Sequence, residues 1–184
     1  MRVVFFTGAG VSVDSGIPCY RGEGSAPTIQ LTGADWRERP EWVLQHYNQR
    51  KAQMLAATPN ALHARIAAAE QLHDVTVVTQ NIDDLHERAG STKVIHLHGD
   101  IRYARTIKGK KLWIGESPLT VDAVDERGRP LRPDIVLWDE LVDIRKARRA
   151  IRGAQKVIVV GTSLSVFPAN IVLTFARCPV VLGF

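Results

Sequence analysis

The chain has 184 residues, 45% hydrophobic and 23% charged, with a formal net charge of +5 and an isoelectric point near 9.5. That length holds one α/β domain with a proper core but not two large ones, and no apolar run approaches the roughly 20 residues of a membrane helix. Two cysteines, Cys19 and Cys178, exclude a disulfide framework and an all-cysteine zinc site, and they suit a reducing cytoplasm.

The N-terminus runs from Met1 straight into a strand-like segment and Gly8, so no signal peptide is expected. In chain order, strands are predicted at Val3–Phe6, Val75–Thr79, Val94–Leu97, Ile135–Trp138, Lys156–Val160 and Val180–Leu182. Helices fit Pro40–Ala57, Asn60–Leu72, Asp83–Ala89 with Gly90 as its stop, and Glu140–Arg152 stopped by Gly153. Short β-branched runs alternating with longer helical stretches predict an α/β fold: a Rossmann-like parallel sheet with flanking helices, in a single domain over residues 1–184. Residues 23–60 read as a helical cofactor-loop and acyl-pocket segment. Residues 100–132 read as a small inserted hairpin segment, with turns at Lys108-Gly109 and Arg127-Gly128. Arg145, Lys146, Arg148, Arg149 and Arg152 read as a solvated helix face rather than a nucleic-acid patch. The mild positive field favours an anionic small molecule.

Polar and glycine residues collect just past the carboxyl ends of four strands: Thr7-Gly8-Ala9-Gly10, Gln80-Asn81-Ile82-Asp83, His98-Gly99 and Gly161-Thr162-Ser163. Open parallel sheets bind ligands there. Glycines after a first strand let backbone N–H groups approach a pyrophosphate. Gly8-Ala9-Gly10 lacks the usual dinucleotide spacing, however, and alone reads equally well as a plain glycine turn.

The longer segments say more. Gly8-Ala9-Gly10-Val11-Ser12 followed by Ser15-Gly16-Ile17-Pro18 and Tyr20-Arg21-Gly22 resembles the opening motif of sirtuins. Thr79-Gln80-Asn81-Ile82-Asp83 with Leu85-His86 and Ala89-Gly90 resembles their second motif, His98-Gly99 their catalytic histidine, and Gly161-Thr162-Ser163-Leu164 with Val166 and Pro168-Ala169 their third nucleotide motif. The motifs run in the family's order over nearly the whole chain.

The resemblance implies an NAD⁺-dependent lysine deacylase that releases nicotinamide, free lysine and O-acyl-ADP-ribose. It implies catalytic roles for His98, as general base, and Asn81. The cofactor set it implies is Gly8, Ala9, Gly10, Ser12, Arg21, Gln80, Asn81, Asp83, Gly161, Thr162 and Ser163. The partners implied are NAD⁺ and an acyl-lysine protein or peptide, with no membrane and no nucleic acid.

Imidazole titrates near neutrality, so His98 can serve as a base without a large shift. His96, two residues away, could pair with it on a metal, but no third ligand is evident nearby. His63 and His86 read as structural, and His46 as helix surface or pocket wall. Tyr47 and Arg50 lie three apart on one helix, where a phenol and a guanidinium can converge on a carboxylate. Their setting, Pro40-Glu41 with Val43 and Tyr47-Asn48, resembles the acyl-pocket helix of the bacterial desuccinylase- and demalonylase-like branch. Residues 132–140, with Val136 and Trp138, resemble the substrate strand to which an acylated peptide adds.

Three departures stand out. Trp138-Asp139 replaces the family's Phe-Gly. The 100–132 segment lacks the paired cysteines of a zinc module, so no zinc is expected, and a hairpin stabilised by Leu112, Trp113, Leu119 and Val121 stands in its place. The last strand meets Gly183-Phe184 where sirtuins supply an asparagine for the adenosine ribose. These departures motivate an alternative reading, an NAD⁺ glycohydrolase or ADP-ribosyltransferase acting on a non-peptide acceptor. A non-catalytic NAD⁺-binding module would not need a base at His98.

Overall fold

The computed structural model describes residues 1–19, 29–165 and 169–183. Arg21, Val166 and Pro168, named above, lie outside the described residues.

Strands β1 (Arg2–Thr7), β2 (Asp74–Thr79), β3 (Val94–His96), β7 (Lys156–Val160) and β8 (Val180–Gly183) form a five-stranded parallel sheet in the order β3-β2-β1-β7-β8. Alternation along β1 explains why both faces are covered. Val4 and Phe6 pack with Ala147 and Ile151 of helix α5 (Arg145–Gly153), while Val3 packs with Val75, Val77 and Ile66 of helix α3 (Ala61–Ala68). Asn60 caps α3, accepting from the N–H groups of Leu62 and His63, and its amide reaches back to the Val11 carbonyl at 2.8 Å. That bond fixes the 3₁₀ turn Ala9–Ser15, which follows β1. The register β1–β2 and β1–β7 aligns Thr7 with Thr79 and Val160, so all three strand ends open on one side.

A second sheet is antiparallel: β4 (Gly99–Thr106), β5 (Lys111–Trp113) and β6 (Leu131–Ile135), in the order β5-β4-β6. Its turns fall at Gly109 and Gly128, both at positive φ, as the sequence predicts. Leu44 and Tyr47 of helix α2 (Pro40–Ala56) pack against Ala104, Leu119, Leu131 and Ile135. A short helix α1 (Gly33–Glu38) precedes α2, and α4 (Leu85–Arg88) follows β2.

Four expectations need correction. The strand expected at Ile135–Trp138 ends at Ile135 and belongs to the antiparallel sheet. The apolar run misled because Asp134, buried inside β6, is offset by Lys111. The helix expected from Glu140 starts at Arg145, since the Glu140 carboxylate accepts from Arg132, Arg105 and the Leu137 N–H. Helix α4 is only four residues because the Asp83 side chain accepts the Leu85 N–H instead of entering a turn. In the inserted segment Leu119 is buried and Leu112 packs beside it, but Trp113 and Val121 are exposed and do not stabilise it from inside. What fastens the segment is α2. Asn48 bonds both the N–H and the carbonyl of Leu119, and buried Lys51 donates to the Ser117 carbonyl at 2.7 Å.

Candidate active site

A cavity of about 1340 Å³ opens at the carboxyl ends of the parallel strands, between the large sheet and α2. Its walls include Ala9, Gly10, Ser12, Gln80, Asn81, Asp83, His98, Gly161, Thr162 and Ser163, and on the other side Tyr47, Arg50, Val136 and Trp138. Thus the structure gathers nearly every residue singled out from the sequence. Among the described residues of that set Gly8 is the exception: it is not in the wall, and its N–H donates to the Val160 carbonyl.

The glycines serve close backbone approach. The Gly10 N–H donates to the Gly161 carbonyl at 2.8 Å, and a Cβ on Gly10 would stand 2.9 Å from the Gly161 Cα. A Cβ on Gly8 would meet the Thr162 Cβ at 2.6 Å. The two loops that end β1 and β7 therefore share one bare backbone floor. Next to it, Gln80 Nε2 donates to Thr162 Oγ1 at 2.9 Å, tying the loop after β2 to the loop after β7.

Deeper in, three side chains form a chain of hydrogen bonds. Asn81 Nδ2 donates to Ser12 Oγ at 3.1 Å and to the Gly8 carbonyl at 3.2 Å, and Ser12 Oγ donates to Asp83 Oδ2 at 3.0 Å. Burial pushes the Asp83 carboxyl up, and the bonds from Leu85 and Ser12 oppose it.

His98 is half-buried on the cavity wall. Burial holds its imidazole below the ordinary value of 6.5, and a bond to the Gln80 backbone opposes that. A neutral imidazole on the cavity wall is the form a general base needs.

His96 does not share the place of His98 on the cavity wall. It turns inward, bonding the Asn81 carbonyl through Nδ1 at 2.8 Å and Glu87 Oε1 through Nε2 at 2.9 Å. Glu87, His96 and Asp100 come together, which sequence spacing had not suggested. Arg102 already bonds both carboxylates, so the cluster's positive charge is a guanidinium. Glu87 is held down to about 2 by His96 and Arg102 against its burial. His63 and His86 are structural, as expected: both are fully buried, with ring centres 4.9 Å apart, and His86 Nε2 meets Thr7 Oγ1 at 3.0 Å.

On α2 the Tyr47 hydroxyl donates to the Ile101 carbonyl at 3.0 Å, and burial raises its pKa. Its single proton is therefore taken within the fold, while Arg50 lines the same cavity one turn along the helix. The sequence reading missed Gln49 and Gln53, which line the cavity beside His46 and Arg50. Helical spacing would have found Gln53, three residues from Arg50, and Gln49, three from His46. It also missed Leu31, for which the sequence carries no local signal, and it took Glu140 only as the end of the 132–140 segment and the first residue of a helix.

Residues 8–168 match the Sir2 family model. The chain belongs to the Sir2 family. The NAD-dependent protein deacylase of Helicobacter pylori is 38% identical over 183 residues, covering 96% of this sirtuin and 80% of its own length. An NAD-dependent protein deacetylase of Listeria monocytogenes is 39% identical over 176 residues, covering 91% and 76%. Among solved structures, a Sir2 homologue bound to ADP-ribose superposes with a TM-score of 0.86 at 33% identity, covering 98% of this sirtuin and 78% of that chain. A Sir2 complex with a p53 peptide and NAD⁺ superposes at 0.78 and 32% identity, covering 98% and 80%. Among the described residues no helix is long and apolar enough to cross a membrane.

Proposed function

We propose that His98 is the general base of this sirtuin, that Asn81 and Asp83 orient the nicotinamide–ribose half of NAD⁺, and that Arg50 selects acidic acyl groups. The enzyme is an NAD⁺-dependent protein deacylase of the sirtuin type. The observation that carries the assignment is a single cavity holding His98, the Ser12–Asn81–Asp83 chain and Arg50 together.

The residues present fit a dinucleotide. The backbone floor of Gly10 and Gly161 leaves room for pyrophosphate to lie close, and Gln80, Thr162 and Ser163 offer amide and hydroxyl groups beside it. When bound, NAD⁺ supplies the electrophilic ribose carbon and the nicotinamide leaving group. His98 would then take a proton from a sugar hydroxyl, and the Gln80 backbone, which favours the charged ring, would steady the imidazolium that results. Asn81 is held from two sides: its side-chain Nδ2 by Ser12 and the Gly8 carbonyl, its backbone carbonyl by His96. The carboxamide-binding group is therefore set before substrate arrives. Ile17, Ile82 and Met54 give the cavity apolar walls, which limit water around these groups.

Arg50 faces the same cavity from α2 with Gln53 and Gln49, so a succinyl or malonyl carboxylate would meet a guanidinium and amide donors. Two free cysteines suit the reducing cytoplasm.

The test is mass spectrometry of NAD⁺ turnover with succinyl-lysine peptide, acetyl-lysine peptide or no peptide. O-Acyl-ADP-ribose that requires peptide, is greatest with succinyl and vanishes in His98→Ala supports both assignments. Nicotinamide release that ignores peptide would favour the glycohydrolase chemistry instead.

A further inference from the structure

Asp139 occupies a position that the resemblance makes glycine in the family pattern, and its carboxylate is tied to another loop. Oδ1 accepts the Gly33 N–H at 2.6 Å, at the first turn of α1. That bond, joined by one from the Ala34 backbone, holds the Asp139 carboxyl below its ordinary value, so it is an ionised acceptor at neutral pH. One residue back, the Trp138 N–H donates to the Leu31 carbonyl at 3.0 Å. Residues 31–33 are thereby stapled along residues 138–139, and Leu31, Val136 and Trp138 all line the cavity.

The staple falls where a flanking peptide would pair. A strand added to residues 136–138 needs their backbone donors. The Val136 N–H goes to the His98 carbonyl at 2.8 Å, the Leu137 N–H to Glu140 Oε2 at 2.9 Å, and the Trp138 N–H to Leu31. The first is the continuation of the β4–β6 pairing. The second belongs to a loop locked by Glu140 with Arg105 and Arg132. Only the third joins residues distant in sequence through a bond that one neighbouring side chain, Asp139, fastens.

We propose that Asp139 is a specificity-determining residue: by fastening residues 31–33 over the Trp138 backbone it occupies the edge a substrate main chain would use. The enzyme then recognises the acylated side chain and gains little from flanking residues. The substrate class that follows is acyl-lysine in short, terminal or irregular segments, together with small acyl-amines, in preference to acyl-lysine within an extended strand. This rests on the deacylase reading above.

Steady-state kinetics on a capped single acyl-lysine and on a peptide of roughly ten residues around the same acyl-lysine test it. Wild type is expected to use both with kcat/KM within about threefold. Asp139→Gly removes the acceptor. Gly33→Pro removes the donor, at a helix start that suits proline and after a Thr32 backbone (φ −109°, ψ 163°) already in the region required before one. Each variant is expected to raise the ratio of peptide to single-residue kcat/KM about tenfold, the equivalent of about 1.4 kcal/mol, through a lower peptide KM. Asp139→Asn, which keeps one acceptor oxygen, should fall between. A wild type that already favours the peptide tenfold, or a ratio unmoved in both folded variants, would overturn the proposal. Absence of turnover on both substrates would overturn the deacylase reading itself.

Discussion

The Ser12 hydroxyl donates to Asp83 Oδ2 at 3.0 Å across the 71 residues that separate them, and the same oxygen accepts the Asn81 amide. Removing it leaves a buried carboxylate without one donor and a buried amide without one acceptor, a loss of about 1–3 kcal/mol. Ser12→Ala is therefore expected to lower Tm by about 2–10 °C, at the sensitivity of a chain this size. Because Asn81 loses its lateral support, KM for NAD⁺ should rise about tenfold while KM for the acylated peptide moves little. Thermal denaturation and initial rates on the same preparations check both, and equal increases in the two KM values would contradict the role given to Asn81.

His98 has its pKa lowered by burial, so it is a neutral base down to mildly acidic pH. The expected profile of kcat/KM rises with pH through that depressed value and is flat by neutrality. His98→Asn should lose about 10²–10⁴ in kcat and retain NAD⁺ binding. A profile that rises only above the ordinary imidazole value of 6.5 would assign the base elsewhere.

The parallel sheet and its site were legible because their signal is local. Each β-branched run ends in its own polar or glycine residues, and the register of β1 with β2 and β7 brings those ends to one rim. The parts that were not legible depend on pairing between distant residues. Nothing near Glu140 shows that Arg132 and Arg105 hold it out of a helix. Tyr47 and Arg50 lie on one face as expected, yet only packing against β4 reveals that the Ile101 carbonyl takes the phenol proton. His96 and His98 look equivalent in an extended segment, but Glu87 and the Asn81 carbonyl bond the first inward while the second lines the cavity.

His63 and His86 are buried neutral, with pKa lowered to about 4 and about 3 by desolvation, against 6.5 outside the fold. A depressed folded value means the unfolded chain binds protons first as pH falls. Their contribution to stability is full above pH 6.5 and is lost as pH drops toward 4, on the order of 3 kcal/mol per ring. Chemical denaturation between pH 7 and 4 should show a steep fall that His63→Gln makes shallower. A slope unchanged by that substitution would place the acid sensitivity in other groups.

The 117–119 segment is held by α2 rather than by cysteines. Asn48 takes both backbone groups of Leu119, at 3.0 and 2.9 Å, and Lys51, only 2% exposed, donates to the Ser117 carbonyl. Burial lowers the Lys51 pKa, and Asp100 and Glu116 counter it, so the ammonium is supported electrostatically as well as by the carbonyl. If these bonds replace a metal, prolonged dialysis against a strong chelator should leave Tm and activity unchanged. Asn48→Ala should then lower Tm by several degrees, since two backbone groups lose partners at about 1 kcal/mol each. Amide exchange at Leu119 should accelerate in that variant, because local opening no longer breaks the Asn48 bonds. A chelator-sensitive Tm, with zinc returning it, would show that a metal holds the segment instead.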